Sequence, residues 1–447
     1  MNELLKTGQT VQTKITGQSC VVANFLGGGG QGEVYSANWN GTTFALKWYF
    51  ANTATQDQQE ALQKLVKRSA PSNAFLWPLD MAYADGVPGF GYIMQLREPR
   101  FKGLIDLVAG RIDPKFRELV TVALALADNF FKLHSAGLCY RDISFGNAFF
   151  DPLNGDVLIC DNDNVTENRS PKVSVLGTPD FMAPEIVRCE AVPSRQTDYY
   201  SLAVLLFYIF HIQHPLIGKR ILKIKSWDLA ARNKLLGKEP LFIFDPQDNS
   251  NEAVDRSVDP LGEAGANALN YWSIFPQVLR DAFIQSFTIG LHDPENGRVT
   301  EGQWRRVLSQ VRDSIFYCSC GKENFYDNTV LKGPNGKPGS CWSCKKELKL
   351  PYRIRIEKSI IMLSHEGKLY QHHLNPGSSD FNFSKSCAEM TPHPTDPGVW
   401  GLKNCTTEKW VASMPDGTLK DIEPGRSVRV ASGTKVNFGK VDGEIRY

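Results

Sequence analysis

The sequence predicts a multidomain chain: an α+β piece, strand-rich and then helix-rich, followed by a small cysteine-held module and an all-β domain. Three observations predict it. At 447 residues the chain exceeds one ordinary hydrophobic core. Apolar patterning passes from strand-like runs over 10–110 to helical spacing over 115–312. Four cysteines then fall within residues 318–344, and short alternating runs between turns fill 352–447. The expected divisions are 10–97, 98–314, 315–351 and 352–447.

Each element follows from local pattern. "SCVVANFL" and "TTFALKWYF" are apolar runs broken by glycine and read as strands. "TATQDQQEALQKLVKR" is polar with helical spacing at Ala61, Leu62, Leu65 and Val66. "KFRELVTVALALADNFFKLHSAG" reads as a long helix that stops at Gly137. The run 202–212, "LAVLLFYIFHI", is too short to span a bilayer and reads as a buried helix. "WSIFPQVLRDAFIQSF" and "TEGQWRRVLSQVRDSIF" are two more helices, and 236–270 is loop-like and acidic. "RIRIEKSIIML", "KLYQHHL", "SVRVA" and "TKVNFG" suggest a small antiparallel β domain.

Composition narrows the function classes. An apolar share of 42% and a charged share of 22% are those of a soluble globular protein. A net charge of +2 gives no global attraction to nucleic acid. The start, "MNELLKTGQT", has no cationic segment leading into an apolar one, so neither a signal peptide nor a membrane partner is expected. Of ten cysteines, Cys20, Cys139, Cys160 and Cys189 are scattered in apolar surroundings, while Cys318, Cys320, Cys341 and Cys344 cluster. That distribution suggests a reducing, cytoplasmic setting and a bound metal.

"LGGGGQGEVY", 26–35, sets Gly27, Gly29 and Gly32 ahead of Val34. Without Cβ atoms a backbone can approach phosphates closely. A dinucleotide-binding loop or a plain glycine-rich hairpin has the same glycines. Here a strand follows, then a turn at Asn40-Gly41, then "FALKWYF", in which Lys47 is the only charge. Such a lysine either pairs, with Glu60 as the candidate, or snorkels from an edge strand. "CYRDISFGNAFF" separates Asp142 from Asn147 by four residues. Phosphoryl transfer needs a carboxylate to take the hydroxyl proton and an oxygen ligand for Mg2+ nearby. "VLICDND" follows at hairpin distance and brings in Asp161.

In this order the motifs resemble those of eukaryotic-like serine/threonine protein kinases, over residues 20–312, and imply their bilobal fold. "GTPDFMAPE", 177–185, is similar to the substrate-binding segment, "TDYYSLAVLLF" to the helix whose Asp198 braces the catalytic loop, and Arg298 to the arginine that pairs with Glu185. The resemblance implies ATP and Mg2+, with Mn2+ as a substitute, and a protein substrate. It implies that Gly27, Gly29 and Gly32 cover the phosphates, with Val34 and Ala45 also in the nucleotide site. Lys47 would hold the α- and β-phosphates and pair with Glu60. Asp142 would be the base, and Asn147 and Asp161 the metal ligands. Met94 would be the gatekeeper, and Gln95, Leu96 and Arg97 the hinge. Arg141 would receive a phosphate from the activation segment, where Ser170, Ser174 and Thr178 are candidate acceptors.

Three departures from the family involve four positions. Tyr140 stands for a histidine, Ser144 for the lysine that neutralises the transferring phosphate, and Asn162-Asp163 for Phe-Gly. Asp163 either helps bind a second cation or only adds negative charge. A pseudokinase that docks partners is the alternative, set against the intact Lys47, Asp142, Asn147 and Asp161.

"YCSCGKENFY" and "GSCWSCKKEL" give Cys-x-Cys-Gly and Cys-x-x-Cys, a pattern for a structural zinc ribbon, with buried or redox-active thiols as the other reading. "GLKNCTTEKWVASMPDG" and "IEPGRSVRVASGTKVNFG" resemble the C-terminal half of a forkhead-associated (FHA) sandwich; the expected role is partner docking. Kinase, zinc ribbon and FHA-like domain together resemble bacterial kinases of tellurite-resistance-type clusters. The resemblance implies a von Willebrand-type protein and a metal-dependent phosphatase as partners.

Overall fold

In a computed structural model of the chain, residues 4–170, 176–331, 337–375, 377–378, 380–396 and 398–447 are described. They divide into two compact units. One comprises 1–114, 126–268 and 284–301; the other comprises 115–125, 269–283 and 302–447.

The first unit opens with a closed antiparallel barrel of β1 (Thr10–Thr13), β2 (Ser19–Gly28), β3 (Gly32–Trp39), β4 (Thr42–Tyr49), β5 (Asp80–Tyr83) and β6 (Gly91–Gln95). The β3–β4 hairpin turns at Asn40 and Gly41, both at positive φ (51° and 75°), the two-residue turn that matches strand twist. Closure buries Val22, Tyr35, Leu46, Trp48 and Ile93 inside. Helix α1 (Gln56–Val66) is capped by Thr55, whose side chain accepts from the Gln58 amide. It buries Gln58, Leu62 and Leu65, a spacing of four and three that defines one helical face.

The remainder of this unit is mainly helical. The helix Phe116–Ser135, part of which lies in it, is followed by Gly137 at φ 77°, the left-handed position at which helices commonly end. Strands Ala148–Phe150 and Val157–Ile159 pair antiparallel, so the hairpin expected between Asn147 and Asp161 is present. The apolar run is the buried helix Arg195–His211, opened by a capping box at Ser194 and Thr197. No helix of the described residues is long and apolar enough to cross a membrane.

In the second unit, strands Ile315–Tyr317 and Glu323–Phe325 form a hairpin. Two antiparallel sheets come after it in the chain. One has six strands, 359–362, 353–356, 442–446, 435–437, 410–413 and 419–422; the other has four, 368–369, 388–392, 400–404 and 427–429. Ile354, Ile361 and Val436 of the first sheet share an apolar core with Leu369, Leu402 and Val428 of the second, around Trp410. The expected strand "KLYQHHL" is only partly one. After Leu369 the chain makes the helical turn Gln371–Leu374, where His373 Nδ1 accepts from the Tyr370 amide at 2.9 Å.

Candidate active site

A cleft of about 670 Å3 is lined by Gly27, Gly29, Gly32, Val34, Ala45, Lys47, Met94, Gln95, Leu96, Arg97, Asp142, Asn147 and Asp161. The volume suits a nucleotide-sized ligand. Gly29 N donates to Gly32 O at 2.9 Å and closes the loop between β2 and β3. Gly32 is fixed by packing, because a Cβ there would lie 2.1 Å from Trp48 O. A Cβ at Gly27 or Gly29 would meet nothing within 4 Å, and neither has positive φ. Their bareness answers to no protein neighbour, and it fits a ligand that lies against the backbone.

The backbone leading into Asp142 is held by Asp198. Asp198 Oδ2 accepts the Tyr140 amide at 2.6 Å, and Oδ1 accepts the Arg141 amide at 2.9 Å. His134 lies between Asp198 (2.9 Å from Nε2) and Glu301, in contact with both. Burial disfavours its charge, but the two acids more than reverse that and raise its pKa to about 9. Tyr140, in the histidine's place, is buried and donates its hydroxyl to Cys160 O, beside Asp161. Asp142 Oδ1 accepts from the Thr178 hydroxyl at 2.7 Å, and Oδ2 from Asn147 Nδ2 at 3.0 Å. That bond turns the amide nitrogen of Asn147 toward Asp142, which leaves its oxygen for a cation. Asn147 and Asp161 thus supply oxygens from two neighbouring strands' ends, as a Mg2+ site requires.

Lys47 is the largest correction. Glu60, its expected partner, lies on the exposed side of α1 and accepts from Gln56 at 3.1 Å. The physical reason is helix phase: the buried face carries Gln58, Leu62 and Leu65. Lys47 Nζ instead donates to Asp163 at 2.9 Å, Asp161 at 3.1 Å and Gln31 at 3.1 Å. Burial works against its charge, and the two carboxylates outweigh it, so the ammonium sits above the ordinary lysine value. Burial, and then Asp163 against the opposing pull of Lys47, lifts Asp161.

The turn that replaces Phe-Gly is closed. Asp161 is left-handed (φ 50°) and leads into a 3-10 turn, Asn162–Asn164. Asn162 is buried and donates to Ile159 O at 2.8 Å. Asn164 O accepts from Arg141 Nε at 2.6 Å, and burial lowers the Arg141 guanidinium's pKa. Arg298 and Glu185 form a bidentate pair, as expected. Gln31, Tyr49, Gln58 and the Thr178–Asp142 bond had no visible sequence signal. Ser174 lies outside the described residues.

The comparison with known families decides the identity. The protein kinase domain family matches residues 20–255. The chain belongs to the protein kinase family. It is 26% identical over 250 residues to a probable serine/threonine-protein kinase of Dictyostelium discoideum, covering 54% of this chain and 15% of that one. It is 27% identical over 211 residues to a second such kinase, from Arabidopsis thaliana (45% and 20%). Over 79 residues it is 35% identical to ribosomal protein S6 kinase alpha-4 of Mus musculus (17% and 10%). The chain spans a fifth or less of these relatives' length.

Within the second unit, the sulfurs of Cys318, Cys320, Cys341 and Cys344 all lie within 4.8 Å of one another. Cys318–Cys344 and Cys320–Cys341 are 3.6 and 3.8 Å apart. A tetrahedral zinc with bonds of about 2.3 Å has sulfurs about 3.8 Å apart. Asn324 Nδ2 donates to Cys341 Sγ at 3.6 Å. Burial opposes the Cys341 thiolate, but the Cys344 and Ser343 amides and Asn324 outweigh it, at about 6. The donor set fits the metal.

Proposed function

We propose that the chain transfers the γ-phosphate of ATP to serine and threonine hydroxyls of protein substrates. One observation carries this: Lys47, Asp142, Asn147 and Asp161 converge on a single cleft beneath the glycine loop. Asp142 takes the proton of the incoming hydroxyl, held in orientation by Thr178 and Asn147. Lys47 faces the phosphates. Asn147 and Asp161 would hold Mg2+, which when bound would supply charge neutralisation at the phosphates. The test is purified full chain with labelled ATP, Mg2+ and a generic protein acceptor. Transfer that is lost in Asp142→Ala supports the reading; no transfer to acceptor or to itself overturns it.

Autophosphorylation extends this reading. Ser170 lines a cleft with Lys64, Arg68 and Arg141, whereas the Thr178 hydroxyl is engaged with the base. The pseudokinase alternative draws on Ser144, which is buried and uncharged where the family has lysine; the same assay decides it. A structural zinc at the four cysteines fits their spacing. The C-terminal sandwich, FHA-like by sequence, is the partner-docking module. By the architectural resemblance, the setting is bacterial and cytoplasmic. The partners are then a von Willebrand-type protein and a metal-dependent phosphatase.

A further inference from the structure

Two carboxylates touch the Lys47 ammonium, and they differ in surroundings. The Asp161 side chain is 40% exposed, whereas that of Asp163 is 0% exposed. Asp163 Oδ2 accepts from Lys47 at 2.9 Å and from the Tyr49 hydroxyl. Its carbonyl accepts from Gln58 Nε2 at 3.3 Å, and the same amide donates to Tyr49 Oη at 3.2 Å. Asp163 is therefore engaged from β4 by two side chains and from α1 by a third. A second metal ligand would have to reach the cleft, and this side chain does not.

We propose, on the reading that this site transfers phosphate, that Asp163 is the positioning residue that sets Lys47 against the nucleotide. The lysine's fixed acid then comes from the turn after Asp161, not from helix α1. An ammonium has three donors, and Gln31, Asp161 and Asp163 fill them. An arriving phosphate displaces the neutral Gln31, the weakest of the three. Asp161, 40% exposed, would be the carboxylate free to serve Mg2+. Asp163, walled in by Tyr49 and Gln58, stays. Asn162 serves the same arrangement, since its bond to Ile159 O fixes the turn that aims Asp163 inward.

The test moves the carboxylate. Full-length wild type, Asp163→Asn, Asp163→Gly, Gln58→Glu, the Asp163→Gly/Gln58→Glu double variant and Lys47→Met are compared. The readouts are kcat and KM for ATP, affinity for a fluorescent ATP analogue with Mg2+, and thermal melting. Asp163→Asn is expected to lower kcat/KM about 10²-fold, the usual cost of misplacing a reacting group by an ångström. The double variant is expected to recover at least tenfold over Asp163→Gly, because residue 58 already reaches Tyr49 and Asp163. A merely structural role would lower melting temperature without that recovery. Asp163→Asn within threefold of wild type overturns the inference, as does a folded double variant no better than Asp163→Gly. Should Asp163→Gly not fold, Asp163→Asn with and without Gln58→Glu gives the same comparison. If wild type transfers no phosphate, the functional reading fails by itself. Nucleotide affinity then decides the inference: Asp163→Asn matching Lys47→Met supports it, and wild-type affinity overturns it.

Discussion

Arg298 grips Glu185 with both terminal nitrogens, Nη1 and Nη2 each 2.8 Å from a different carboxylate oxygen, and both side chains are buried. Arg298 Nη1 also donates to Gln196 O at 2.8 Å. Removing one partner leaves an uncompensated buried charge, which costs about 3–5 kcal/mol. Arg298→Ala is expected to lose that much in urea unfolding of the kinase unit. A loss below about 1 kcal/mol would mean that water replaces the arginine.

His134 makes stability depend on pH. Its folded-state pKa is raised to about 9 from an ordinary 6.5. A raised pKa means that the folded state holds the proton more tightly. The contribution is complete below pH 6.5 and is lost as pH climbs through about 9. Its size is on the order of 3 kcal/mol. The stability difference between wild type and His134→Gln should shrink steadily from pH 6.5 to 9; a constant difference contradicts it.

The Thr178 hydroxyl donates to Asp142 Oδ1 at 2.7 Å, so its effect is expected to run through that carboxylate. Asp142→Asn should cut kcat by about 10²–10⁴-fold, the typical worth of a positioned general base. Thr178→Val should cut it about tenfold and leave KM for ATP unchanged, because it frees the carboxylate to rotate without touching the nucleotide. A rise in KM with kcat intact would move Thr178 from orientation to binding.

The four clustered cysteines should carry about one zinc per chain by metal analysis. Stripping it should unfold the hairpin Ile315–Tyr317/Glu323–Phe325, seen as loss of amide protection there. Less than about half an equivalent of zinc in freshly purified protein contradicts this.

Much of the site is legible in sequence because kinase chemistry is spelled in short local strings. The spacing between Asp142 and Asn147, the hairpin into Asp161 and the lone charge in "FALKWYF" each carry their own signal. So does the cysteine cluster, by the spacing of Cys318, Cys320, Cys341 and Cys344. The Lys47 partner was not legible for two reasons. Helix phase in α1 was ambiguous, since Ala61, Leu62, Leu65 and Val66 are compatible with several faces, and a buried Gln58 adds no apolar mark. Asp163 is also 116 residues from Lys47, a separation that no local pattern spans. "KLYQHHL" failed as a strand because alternation over so few residues does not exclude a helical turn.

Gly27 and Gly29 separate two properties that usually travel together. Since a methyl group at either position meets no protein atom, Gly27→Ala and Gly29→Ala should leave melting temperature intact while weakening nucleotide binding. A cell carrying such an allele would keep the four-cysteine cluster and the C-terminal sandwich, and lose only what depends on nucleotide binding. The phenotype of that allele, set beside a deletion, would apportion what the chain does as a catalyst and what it does merely by being present.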